Sequence, residues 1–114
     1  MKEKIFILAT AFVLAGTFSL AYGADADKGK ALFESPTFGG ATTGKTCKSC
    51  HAGGKGLGAD LFERQTITIM GMEKSMVEEV VNVCIEKPLG GKAIDPRGEE
   101  MQNLLAYLKP LVAK

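Results

Sequence analysis

Five consecutive residues, Cys47-Lys48-Ser49-Cys50-His51, restrict what this chain can fold around more than any other feature. Their pattern, C-x-x-C-H, is the signature by which a c-type haem is attached to a polypeptide. The spacing of the two thiols fits the two vinyl groups along one edge of the porphyrin, and the following histidine is then brought under the iron. His51 is the only histidine in the chain. The sequence therefore predicts one covalent haem c, bound through Cys47 and Cys50, with His51 as the proximal iron ligand.

Three other interpretations of these residues were weighed. A thioredoxin-like C-x-x-C motif requires a βαβ context, whereas glycine-rich segments flank this motif on both sides. A structural zinc site could recruit Cys47, Cys50, Cys84 and His51, but adjacent residues such as Cys50 and His51 are awkward ligands for one tetrahedral ion. A Cys47–Cys50 disulfide would leave His51 without a role. Haem attachment is the interpretation that uses the whole motif.

The first 23 residues differ in character from the rest of the chain. Lys2 and Lys4 are followed by an almost unbroken apolar run over residues 5–20, and Ala21-Tyr22-Gly23 offers the small residues that an export peptidase reads. The run is shorter than the roughly 20 residues that span a bilayer as a helix. The sequence predicts a signal peptide over residues 1–23, cleaved before Ala24, and a periplasmic location for the remainder.

The 114-residue chain has room for one domain, which we place at residues 24–114. Acidic and basic residues are equal in number in this part. No basic face is therefore expected to bind nucleic acid, and no second apolar run predicts a stable membrane span after processing. So small a domain buries little apolar surface, and a cofactor would help to complete its core.

Three helical stretches are predicted in this domain. The first opens at Asp25, a capping residue, and the second begins at the capping-box pattern of Ser75 and stops before Pro88. The third starts at Asp95-Pro96 and ends near Pro110. No convincing strand is found, since residues 65–70 suit either an extended or a helical conformation. The predicted fold class is all-α, a small cytochrome c fold with three main helices packed around one covalently bound haem.

These residues resemble class I cytochromes c. Asp27-Lys28-Gly29-Lys30-Ala31-Leu32-Phe33 looks like the first helix of that family, residues 47–51 like its haem site, and Leu104-Leu105-Ala106-Tyr107-Leu108-Lys109 like its terminal helix. The resemblance implies that Gly29 and Phe33 cross Leu104 and Tyr107 at close range. It also implies an electron carrier whose sixth iron ligand is a methionine in the loop between the last two helices.

The loop of residues 87–95 contains no methionine. A second resemblance, to the haem modules of thiosulfate-oxidising cytochromes, rests on Asn82-Val83-Cys84, the Gly90-Gly91-Lys92 loop and Glu99-Glu100-Met101. It implies Cys84 as the distal metal ligand. As a buried free cysteine packs equally well as a small apolar side chain, the residues leave the sixth ligand open among Cys84, Met70, Met72, Met76, Met101 and a vacant position.

Three functions are compatible with these features. The first is a periplasmic electron-transfer protein with one haem, which exchanges electrons with other periplasmic redox proteins and is not itself an enzyme. The second is a haem subunit of a sulfur-compound-oxidising enzyme of the thiosulfate type, with Cys84 at the iron. The third is a small-ligand binder with an open sixth position. The first function requires the fewest components besides the haem itself. The sequence does not determine the oligomeric state.

Overall fold

The computed structural model describes residues 23–113, so the predicted signal peptide lies outside the described residues except for Gly23. The described part contains four α-helices and one two-stranded antiparallel sheet. In chain order these elements are α1 (Ala26–Phe33), α2 (Cys47–His51), β1 (Ile67–Ile69), β2 (Met72–Lys74), α3 (Val77–Glu86) and α4 (Glu99–Val112). Short 3-10 turns occur at Phe38–Gly40, Ala52–Gly54 and Leu61–Glu63.

The prediction of a purely all-α fold is wrong because β1 and β2 form a hairpin. Ile69 pairs with Met72, so only Met70 and Gly71 form the turn. Both turn residues have positive φ, 52° and 79° respectively, as a type I′ turn requires. Glycine adopts such a φ without a steric penalty. Methionine rarely adopts such a φ, so the pair Met70-Gly71 does not by itself predict a hairpin from the sequence.

Helices α1 and α4 cross at close range, as the first resemblance implied. A β-carbon added at Gly29 would overlap the backbone carbonyl of Asn103, so only glycine permits this approach. Near the crossing, the Phe33 and Tyr107 rings lie with their centroids 5.2 Å apart and tilted by 59°. The Asn103 side chain also accepts a hydrogen bond of 2.7 Å from the Asp25 backbone N–H. The crossing joins the two ends of the domain.

Helix ends follow local capping, with some shifts from the predicted positions. Asp25 caps α1 as predicted, since its carboxylate accepts hydrogen bonds from the N–H groups of Asp27 and Lys28. At α3, Glu79 rather than Glu78 accepts from the N–H groups of Ser75 and Met76. Helix α4 begins three residues after Pro96, because residues 95–98 form a turn closed by a Gly98 N–H bond to the Asp95 carbonyl.

One continuous apolar core lies between α1, α3, α4 and the hairpin. Its largest fully buried side chains are Ile85, Met101 and Leu104. Helix α4 continues through Pro110 to Val112, beyond its predicted end, and Val112 is buried in this core. The buried Val112 gives the last turn of α4 a packing contact that offsets the backbone hydrogen bond lost at Pro110.

Among residues 23–113, no helix has the length and apolar character needed to cross a membrane.

Candidate functional site

The five residues of the C-x-x-C-H motif form α2, a single helical turn with its own cap. The Thr46 hydroxyl accepts a hydrogen bond from the Ser49 N–H at 3.0 Å, and the Ser49 hydroxyl accepts one from the Thr46 N–H at 2.9 Å. This reciprocal pair is a capping box formed with serine. Residues at positions i, i+3 and i+4 share a helix face. The turn therefore presents Cys47, Cys50 and His51 on the same side.

That side faces an apolar cleft with a cavity volume of about 80 Å³, and the cleft is partly open to solvent. This volume is below the range of about 300–1,000 Å³ that is typical of small-molecule and cofactor pockets. All four predicted site residues line it: Cys47, Cys50, His51 and Cys84. The remaining lining comes from every part of the domain, namely Phe33, Thr46, Leu57, Leu61, Val77, Val80, Val81, Pro88, Leu89, Leu104 and Leu108. The fold thus brings Cys84 of α3 to the motif.

The His51 ring is oriented by the backbone that follows it. Its Nδ1 lies 2.8 Å from the carbonyl oxygen of Lys55. Because a carbonyl oxygen only accepts, Nδ1 must carry the hydrogen in this bond, and the lone pair of the neutral ring is then on Nε2. The chain returns to the ring through a turn in which the Lys55 N–H donates to the Ala52 carbonyl at 3.1 Å. Such a bond at the second nitrogen is the arrangement that orients metal-binding histidines.

Cys47 and Cys84 lie in an environment that disfavours a charged thiolate. Burial, and then the neighbouring Cys84, raise the pKa of the Cys47 thiol to about 11. Burial also raises the pKa of the Cys84 thiol, with Cys50 contributing. Both thiols are consequently protonated near neutral pH in the protein as described. The electrostatic influence of Cys84 on Cys47 reflects their proximity across the cleft.

The four methionines considered as iron ligands lie elsewhere. Met70 and Met76 are more than half exposed, whereas Met101 is completely buried in the core. Met72 lies on β2 and is half-buried. None of the four lines the cleft. Of the ligand candidates identified from the sequence, only Cys84 shares the cleft with His51.

Within residues 23–113, no three side chains of His, Cys, Asp or Glu are grouped closely enough to hold a metal ion by themselves. Comparison with known proteins adds no relative: no protein-family model, curated protein or solved structure matches this chain.

Sequence reasoning missed two parts of the site. Thr46 and the Lys55 carbonyl, which hold α2 and the His51 ring, were not identified, although a Thr three residues before a Ser is a capping signal. Pro88 and Leu89, which form one wall of the cleft, were interpreted only as the end of a helix. Their place in the wall depends on contacts with residues 39–43, far away in the sequence.

Proposed function

We propose that this protein is a periplasmic electron-transfer protein that carries one covalently attached haem c. The observation that carries the proposal is the apolar cleft in which Cys47, Cys50 and His51 lie on one face of α2, with Nδ1 of His51 hydrogen-bonded to the Lys55 carbonyl. Two thiols and an oriented imidazole at the rim of an apolar cleft form the donor set that a c-type haem requires.

The residues present fit this cofactor in three respects. Cys47 and Cys50 would hold the porphyrin through two thioether bonds, and His51 would bind the iron through Nε2. The valines and leucines of the cleft would surround the macrocycle with apolar side chains. Bound haem supplies a one-electron Fe(III)/Fe(II) couple whose potential depends on its axial ligands and on burial.

The chain itself contributes an oriented ligand and an apolar environment. The Lys55 carbonyl keeps the imidazole in one orientation, so the ligand requires little rearrangement when the charge of the site changes. Phe33, Leu104 and Leu108 come from the α1–α4 crossing and line the cleft with apolar side chains, which would limit the access of water to a bound haem. Limited access of water lowers the reorganisation that accompanies electron exchange with a partner redox protein. We propose that Cys84 would be the second protein ligand of the iron, since it lines the same cleft as His51.

The test is to produce the full chain in bacteria that export it and mature c-type haem, with a known monohaem cytochrome made in parallel. We expect an intact mass equal to residues 24–114 plus one haem, with the haem retained after acid–acetone extraction. Reversible reduction in a spectroelectrochemical titration should follow. Cys47→Ala/Cys50→Ala should release all haem on extraction, whereas Ser35→Ala, a partly buried serine outside the cleft, should retain it. If no covalent haem forms while the parallel cytochrome matures, the proposal is wrong.

The position of Cys84 also favours a second candidate function, a haem subunit of an enzyme that oxidises sulfur compounds of the thiosulfate type. Cys84 lines the same cleft as His51, as that function requires. This candidate predicts that thiosulfate reduces the haem of the purified protein, alone or with its partner subunits. Thiosulfate that leaves the haem oxidised in both cases would exclude the enzyme and leave the carrier.

A further inference from the structure

The segment of residues 88–94 follows α3, and its first two residues form a wall of the cleft. Pro88 and the buried Leu89 both line the cleft beside Cys84. The segment folds back over the end of α3, where helix carbonyls have no partner within the helix. The Cys84 carbonyl accepts a hydrogen bond from the Leu89 N–H at 3.2 Å, and the Ile85 carbonyl accepts one from the Gly91 N–H at 2.8 Å. The segment that contains the wall is therefore hydrogen-bonded to the backbone of Cys84, the residue proposed to bind iron.

One edge of this segment is attached to the loop before α2. The N–H groups of Thr42 and Thr43 both donate to the Leu89 carbonyl, at 2.9 and 3.2 Å. Their hydroxyls donate to the carbonyls of Gly90 and Pro88, at 3.0 and 2.9 Å. These bonds join the wall to the loop that leads into α2. The Lys92 N–H also donates to the Gly39 carbonyl at 2.8 Å, and beyond this bond the end of the segment at Ile94 is held by another contact.

Asn82 supplies that contact. Its side-chain Nδ2 donates to the Ile94 carbonyl at 3.0 Å, and its Oδ1 accepts from the Ile94 N–H at 2.8 Å. The amide thus makes two hydrogen bonds with the backbone of one residue. The position is partly buried, where these backbone groups would otherwise lose hydrogen bonds to water. Asn82 lies two residues before Cys84 on the same helix. The side chain closes the segment onto the helix that carries the proposed ligand.

We propose that Asn82 is a positioning residue of the haem site: by pairing with Ile94 it holds residues 88–94 in place, so that Pro88 and Leu89 stay in the cleft wall and external ligands are kept from displacing Cys84 at the iron. This inference rests on the proposed function. Asn82 touches neither the cleft nor the bound group, and it acts through Ile94, Leu89 and Pro88. Loss of the pair leaves the Ile94 end of the segment held only through the Lys92–Gly39 bond, while the α1–α4 crossing and the motif stay in place.

The test compares haem-loaded wild-type protein with Asn82→Ala and with Glu86→Ala, a matched control at an exposed position of α3. Cyanide association with the ferric protein should be at least tenfold faster in Asn82→Ala, a change of about 1.4 kcal/mol. Exchange of the Gly91 and Ile94 amide hydrogens should accelerate by a similar factor. Glu86→Ala should change neither rate by more than about twofold, and far-UV circular dichroism should be unchanged in both variants.

A second variant covers the case in which Asn82→Ala does not accumulate. Thr43→Val preserves shape but removes the hydroxyl bond to Pro88, at the opposite end of the segment, and should also accelerate cyanide binding. Unchanged cyanide and exchange rates in Asn82→Ala would overturn the inference. If Asn82→Ala does not accumulate, unchanged rates in Thr43→Val would do the same. In both cases, haem bound to the wild-type protein would still support the proposed function. Wild-type protein without haem would overturn both.

Discussion

Nδ1 of His51 lies 2.8 Å from the carbonyl oxygen of Lys55, four residues further along the chain. This contact determines which ring nitrogen carries hydrogen and therefore which one is available to a metal. It is made by a backbone group, so it does not depend on the identity of the side chain at position 55. In the neutral ring of this chain's only histidine, the lone pair is therefore on Nε2.

The first prediction concerns this tautomer. In the protein without haem, at a pH where the ring is neutral, His51 should carry its hydrogen on Nδ1, because the Lys55 carbonyl accepts it. Two-dimensional ¹H–¹⁵N spectra of the imidazole distinguish the two tautomers, and the single histidine makes the assignment unambiguous. A ring protonated predominantly on Nε2 would contradict the orientation described.

The second prediction concerns the sixth ligand. Replacement of Cys84 by Ser should raise the reduction potential by more than about 59 mV, a tenfold change in the one-electron equilibrium, because an anionic thiolate stabilises ferric iron. The matched controls are leucine substitutions at Met70, Met72, Met76 and Met101, which should leave the visible and near-infrared spectra unchanged. The opposite pattern, an unaffected Cys84 variant and one methionine variant with an altered spectrum, would assign that methionine instead.

The third prediction concerns the α1–α4 crossing. Gly29→Ala should destabilise the domain by about 1–3 kcal/mol, the typical cost of forcing an extra carbon into a packed interface. The added methyl group meets the Asn103 backbone, which cannot rotate away. Urea denaturation measures the change, and Lys30→Ala, an exposed neighbour on α1, provides the control. Equal stability of the Gly29 variant and the wild type would show that the helices are further apart than described.

The fourth prediction concerns the hairpin turn. Met70 has φ of 52°, a left-handed conformation that costs most residues roughly 1–2 kcal/mol and asparagine less. Met70→Asn should therefore stabilise the protein by about 1 kcal/mol in thermal or urea unfolding. Met70→Gln separates this backbone effect from the removal of an exposed apolar side chain, and it should give little gain. Equal stabilisation by Met70→Asn and Met70→Gln would show that the left-handed backbone conformation of Met70 is not the cause of the gain.

Much of the fold followed from local chemistry. The Asp25 cap and the presence of the last helix were predicted because each depends on residues within a few turns. The hairpin was missed because its strands are only three residues long and because Met70, in the first position of the turn, is a residue that rarely adopts a positive φ. The start of α4 was misplaced because Asp95 caps a turn, and its side chain accepts from the Arg97 N–H at 2.9 Å instead of opening the helix.

The sequence by itself determined the chemistry of the candidate site, since the spacing of Cys47, Cys50 and His51 places them on one helix face wherever that helix lies. Only the tertiary structure decided which distant residue joins them. Cys84 and Met101 both occur on apolar helix faces, so the spacing of apolar residues in the sequence does not distinguish them. The packing of α3 and α4 separates them, because α4 turns Met101 into the closed core whereas α3 borders the open cleft.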